Sequence, residues 1–163
     1  MRSARSRATR RASRSRSSAM RRAALILALA VAGSAAAADY RSVAENAAVL
    51  YDAPSRAAKP VFVVSKLYPV EVIVNLDAWV KVRDHTGALS WIERKALSER
   101  RMVLVTAPIA VVRAKAEDPA PVAFQAQQNV VLELLEIAGG GWARVRHPDG
   151  AAGFVRTDQV WGL

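Results

Sequence analysis

Trp79-Val80-Lys81-Val82-Arg83, then Asp84-His85-Thr86-Gly87, then Trp91-Ile92: this stretch decides the fold, because the chain contains it twice. The second copy reads Trp142-Ala143-Arg144-Val145-Arg146, His147-Pro148-Asp149-Gly150, Phe154-Val155. In each copy a glycine stands eight residues after the tryptophan and a second aromatic twelve after it. A run with alternating, β-branched residues, a turn closed by glycine and another short apolar run is the pattern of a β-hairpin. A repeat of this kind sets the architecture before any single residue is interpreted. It places two small β units in tandem.

Working outward, Ala47–Tyr51 reads as a strand, and Asp52-Ala53-Pro54-Ser55 as a turn in which proline fixes φ. Pro60–Val64 is apolar and lines a long loop and its return. Val70–Val74 is β-branched and reads as a strand. Glu93–Leu97 suits a short helical turn before a last strand. The second unit follows the same order through Ile109–Val112, a loop at Glu117–Pro121, and Val131–Leu135. Asn129–Ile137 alone would pass for a helix, but its repeat partner Val70–Val74 is a poor helix, so the repeat favours a strand. Ser98–Val105, between the units, is half apolar and lacks the glycine and serine of a flexible tether, so the pair is expected to be semi-rigid.

The formal charge of +10 suggests nucleic acid until its distribution is considered. Residues 1–38 hold nine arginines and no acid, which leaves 15 basic against 14 acidic residues in the remainder. That remainder has no electrostatic footprint for a phosphate backbone. The N-terminus has the parts of a secretory signal: arginines up to Arg22, an apolar run Ala23–Ala32, and small residues Gly33–Ala38. A run of ten residues is short of the roughly 20 that span a bilayer. Residues 1–38 are therefore expected to be a cleaved signal peptide, with cleavage after Ala38 or beside it after Ala37. The mature protein is expected in the periplasm or secreted, with no stable membrane anchor. There is no cysteine, so disulfides, thiolate metal sites and a cysteine nucleophile are excluded.

Little in the repeated unit suggests chemistry. His85 and His147 occupy matching turns, each without a second histidine or a carboxylate cluster at ligand spacing, so no metal site is expected. No serine has a base in a plausible triad. Glu71 and Glu133 repeat in register and read as solvated strand residues. No cofactor is expected. The aromatics are what remain. Trp91 and Phe154, beside Ile92 and Val155, are expected in the core. Trp79 and Trp142, each opening a strand, suit a core position or a partly exposed one equally. Tyr51, Tyr68 and Trp79 are the candidate ligand-binding residues, a set of rings able to stack on a peptide or a sugar face. The second unit has Arg113 near the place of Tyr51.

The order of an apolar strand, a Pro-Ser turn, a Val-Glu-Val strand, Trp-x-Lys/Arg-Val-Arg, a turn ending in glycine and a closing aromatic resembles the bacterial Src-homology-3-like (SH3b) domains. Residues 40–163 resemble their exported tandem form, including Leu97–Val105 after the first unit and the terminal Trp161-Gly162 pair. The resemblance implies an all-β protein of two tandem five- or six-stranded barrels, over residues 40–101 and 102–163, that bind peptides or cell-wall material. The chain departs from the common pattern at Leu50-Tyr51-Asp52, where many members carry asparagine, valine and arginine. The expected function is that of an exported non-catalytic binding module for peptidoglycan or an envelope peptide or protein. The alternative is a structural or regulatory accessory that pairs with another exported protein through its edge strands.

Overall fold

The computed structural model describes residues 38–163. The leader expected over residues 1–38, all but its last residue, lies outside the described residues. Among the described residues no helix is long and apolar enough to cross a membrane.

The protein is all-β, built from two seven-stranded antiparallel sheets. The first sheet holds β1 (Tyr40–Val43), β2 (Ala48–Tyr51), β3 (Pro60–Val64), β4 (Pro69–Asn75), β5 (Trp79–Arg83), β6 (Leu89–Glu93) and β7 (Leu97–Ser98). The second holds β8 (Met102–Val105), β9 (Ile109–Arg113), β10 (Val122–Gln127), β11 (Val131–Gly139), β12 (Trp142–Arg146), β13 (Ala152–Arg156) and β14 (Val160–Trp161). Strand order is β3-β2-β6-β5-β4-β1-β7 in one and β10-β9-β13-β12-β11-β8-β14 in the other, so the repeat is a repeat of topology. A 3₁₀ turn at Arg94–Ala96 precedes β7, and one at Thr157–Gln159 precedes β14. The ambiguous segment is strand β11, as its repeat partner requires.

One expectation is corrected: each sheet has seven strands rather than five or six. The strand ahead of the first one read from the sequence is β1, which pairs with β4 through Tyr40↔Glu71 and with β7 through Val43↔Leu97. Tyr40-Arg41-Ser42-Val43 has no apolar run to advertise a strand; it is one because its backbone fits between two others.

Alternation sorts the side chains. In β5 and β6, Val80, Val82, Ser90 and Ile92 point inward. With Val43, Leu50 and Val70 the apolar ones form the first core. Val103, Val112, Leu132, Val145 and Val155 centre the second. Each core is aliphatic. Burying a residue such as Leu50 or Ile92 stabilises by about 1.5–3 kcal/mol. Trp91 and Phe154 are not in these cores. They are half-buried on the outer face, because Ile92 and Val155 hold the inward positions beside them.

The repeated glycines close equivalent hairpins, with φ of +89° at Gly87 and +98° at Gly150. In the first, Asp84 Oδ1 accepts hydrogen bonds from the Thr86 and Ala88 amides at 2.8 and 3.0 Å, which holds the turn. A Cβ on Gly87 would meet nothing within 4 Å, so a substitution there is opposed by backbone conformation alone. Gly87→Val is expected to lower stability by about 1–2 kcal/mol in chemical denaturation. An unchanged midpoint would show that the turn does not need positive φ.

Glu71 and Glu133 are also corrected. They are not solvated: their side chains are 12% and 19% exposed. Each stands opposite an arginine on the next strand, Arg83 and Arg146. Arg83 donates to both Glu71 oxygens at 2.8 Å. Arg146 donates to Glu133 at 2.7 Å and Arg100 donates at 3.1 Å from the link between the barrels. Hydrogen bonds from these arginines, Arg146 first, hold the Glu133 carboxyl below the usual carboxylate range.

Candidate functional site

The outer face of β2, β6 and β5 gathers aromatic rings. Tyr51 stands opposite Trp91, and Trp91 opposite Lys81, so these three cross the sheet in one row. Trp79 and Glu93 form the next row. The Tyr51 and Trp79 rings meet edge to face, with centroids 5.5 Å apart and planes at 87°. This is a favoured aromatic geometry, in which the positive edge of one ring meets the negative face of the other. The Lys81 ammonium lies 5.8 Å from the centre of the Trp91 ring. All three rings are half-buried.

Charged groups border the rings. Arg56, on the turn after β2, donates to both Glu93 oxygens at 2.8 and 2.9 Å. That contact holds the Glu93 carboxyl below its ordinary range. The turn carrying Arg56 is itself tied down by Asp52, whose Oδ1 accepts from the Lys59 amide at 3.0 Å, and by Ser55, whose Oγ accepts from the Ala57 amide at 3.1 Å. On the other side, Arg94 Nε donates to the Asp77 carbonyl at 2.7 Å, which fixes the turn from which Trp79 emerges. The rings therefore sit on regular strands between two braced turns.

Of the three candidates, Tyr51 and Trp79 come together and Tyr68 does not join them. Tyr68 precedes β4, and its hydroxyl is hydrogen-bonded to His85 Nδ1 at 2.7 Å. Burial pushes that hydroxyl above the usual phenol range. The His85 ring in turn lies edge-on to Trp161 of the second barrel at 6.5 Å. Tyr68 thus belongs to the junction between the barrels, where Tyr40 also meets Trp161 edge to face at 5.3 Å. The ring that joins Tyr51 and Trp79 is Trp91, which sequence reasoning placed in the core. The signal for it was present: with Ser90 and Ile92 inward, Trp91 has to face out.

The corresponding face of the second barrel differs in kind. Arg113 stands opposite Phe154, and Phe154 opposite Arg144, where the first barrel has Tyr51, Trp91 and Lys81. Trp142, which the sequence left open between core and surface, is buried at 5% exposure. The Arg156 guanidinium lies over its ring at 4.3 Å and is held there by Asp118. Arg113 donates to the Ala120 carbonyl at 2.8 Å. The second barrel has closed with arginines the surface that the first leaves aromatic.

His85 pairs with Tyr68, and His147 lies 3.0 Å from Asp149. Among the described residues no three histidines or carboxylates cluster closely enough to hold a metal ion.

The family described as Bacterial SH3 domain matches residues 44–99 and again residues 106–162. The chain belongs to this family. It is a tandem bacterial SH3 protein, and the two matches fall on the two sheets. No curated protein matches the sequence. Among solved structures, the chain is similar to NlpC2 from Trichomonas vaginalis, at 14% identity and a TM-score of 0.35, over 75% of this chain and 46% of that one. It is also similar to an NlpC/P60 family protein from Bacillus cereus, at 19% identity and a TM-score of 0.36, over 75% of this chain and 55% of that one. The chain spans about half the length of these structures.

Proposed function

We propose that this tandem bacterial SH3 protein is an exported, non-catalytic binding module of the cell envelope, periplasmic or secreted, and that the Tyr51–Trp79–Trp91 face of its first barrel recognises peptidoglycan or an envelope peptide. The observation that carries the reading is the edge-to-face pair of Tyr51 and Trp79 beside Trp91 on an outer sheet face. Free ring faces stack on the apolar face of a sugar or on an aliphatic side chain. Lys81, Arg56 and Glu93 supply polar contacts at the rim for carboxylates and amides. The second barrel, with Arg113 at the place of Tyr51, lacks this arrangement and serves as a structural partner.

Tyr51→Ala is expected to weaken retention on purified cell wall several-fold, as the loss of about 0.5–1.5 kcal/mol of stacking implies. The thermal midpoint is expected to stay nearly unchanged, because Tyr51 lies outside the aliphatic core. Undiminished retention by a folded variant would remove this face from recognition. A large loss of stability would instead make Tyr51 a packing residue.

A further inference from the structure

The two barrels treat one equivalent strand differently. β3 and β10 are terminal strands of their sheets, each paired on one side only. Phe62 stands opposite Leu50 in the first barrel, and Phe124 opposite Val112 in the second, so the two phenylalanines are counterparts. Phe124 is half-buried, packs on the second core and has the His147 ring 5.8 Å away. Phe62 is 56% exposed. The place of His147 is held in the first barrel by Asp84, each donating its amide across the base of its hairpin, to Ala151 and to Ala88, so Phe62 has no ring beside it there.

The rest of β3 follows suit. Val63 is 64% exposed, and its counterpart in β10 is Gln125. Val61 is exposed as well, so the free edge presents an apolar strip. Its far end opens into a cleft of about 440 Å³ between the barrels, bordered by Val64, Tyr68, Leu104 and Val131. An apolar edge with unpaired backbone groups is a template for another strand. Lys59 and Lys66 flank this strip, where the second barrel has Pro121 and Gln128. Among the described residues neither lysine makes an ion pair.

We propose that the β3 edge is a docking site for an extended segment of another protein, one with alternating apolar residues flanked by acidic ones, which adds to the first sheet as an eighth strand. Main-chain hydrogen bonds along β3 would hold it, Phe62 and Val63 would receive its apolar side chains, and the two lysines would select its acidic ends. The lysines also argue against a second copy of this chain as the occupant. Antiparallel pairing of β3 with itself about Phe62 and Val63 sets Lys59 opposite Lys66, a like-charge contact. This edge adjoins the Tyr51–Trp79–Trp91 face through Pro60, which stands opposite Tyr51, but the proposal does not depend on what that face binds.

The test uses the full mature chain and a labelled short peptide of alternating valine and threonine, closed by a glutamate at each end, with a lysine-ended peptide for comparison. The glutamate-ended peptide is expected to bind, to protect the β3 amides from hydrogen exchange, and to bind less well as salt is raised. Val63→Gln, which installs the residue of the second barrel, is expected to weaken it about fivefold while wall retention is unchanged. Lys59→Glu with Lys66→Glu is expected to reverse the preference toward the lysine-ended peptide. Equal binding of both peptides, or binding indifferent to both sets of substitutions, would overturn the proposal. So would dimerisation of the chain that Val63→Gln abolishes, since the edge would then belong to a second copy. Loss of wall retention in Tyr51→Ala with peptide binding intact would separate the two sites.

Discussion

Gly153→Ala is expected to destabilise the second barrel by about 2–3 kcal/mol, although it adds a single methyl group. Gly153 is buried in β13, beside its sheet neighbour β9. A Cβ placed there would lie 2.5 Å from the Arg113 carbonyl oxygen and 2.8 Å from Val112 Cγ1. Neither contact is tolerable, and one of the atoms is backbone, so relief requires β9 and β13 to separate. That separation would disturb Val112 and Val155, both fully buried in the second core. Gly87→Ala is the comparison, since there the same methyl group meets nothing within 4 Å and is opposed only by the positive φ. Urea denaturation of the two variants checks the difference. A loss at Gly153 no larger than that at Gly87 would mean that β9 does not press on β13 as described.

Ile92→Ala is expected to cost the first barrel about 3 kcal/mol, the usual result of emptying a fully buried branched site. Ile92 is 0% exposed and packs among Val80, Val82, Leu50 and Val70. Its cavity would be lined by aliphatic side chains held on regular strands, which have little freedom to collapse. The two cores share no residue, so the loss should be confined to one barrel. Hydrogen exchange is expected to quicken at the amides of Val80 and Val82 and to stay slow at those of Val145 and Val155. Equal acceleration in both barrels would show that they unfold as a single unit through their junction.

How far these features were legible depends on whether their cause is local. The hairpins at Trp79–Ile92 and Trp142–Val155 were legible because alternation, a turn glycine and β-branched residues act within a few positions, and the repeat supplied the same evidence twice. The strand β11 was legible only through that repeat, since its own composition also suits a helix. Strand β1 was not legible, because Tyr40–Val43 becomes a strand through β4 and β7, which lie far along the chain. The site divides in the same way. Tyr51 and Trp79 were found, and their contact follows from strand order. Trp91 is misplaced by the expectation that an aromatic beside Ile92 packs in the core, although alternation alone turns it outward. Tyr68 was grouped with the wrong rings, since its partner His85 sits on a hairpin tip that folds toward the second barrel. Trp142 lies under Arg156, and Arg156 is held by Asp118 from the loop before β10, a contact with no local signature.

The most direct test of recognition at the aromatic face is the response of the four indole N–H signals to solubilised peptidoglycan fragments in a heteronuclear NMR titration. The four tryptophans divide evenly between the barrels, and each gives its own signal. The signals of Trp79 and Trp91 are expected to shift and saturate together. Those of Trp142, covered by Arg156, and Trp161, packed on Tyr40 at the junction, are expected to stay in place. Stationary signals from Trp79 and Trp91, or a saturating shift of Trp142 or Trp161 alone, would contradict it.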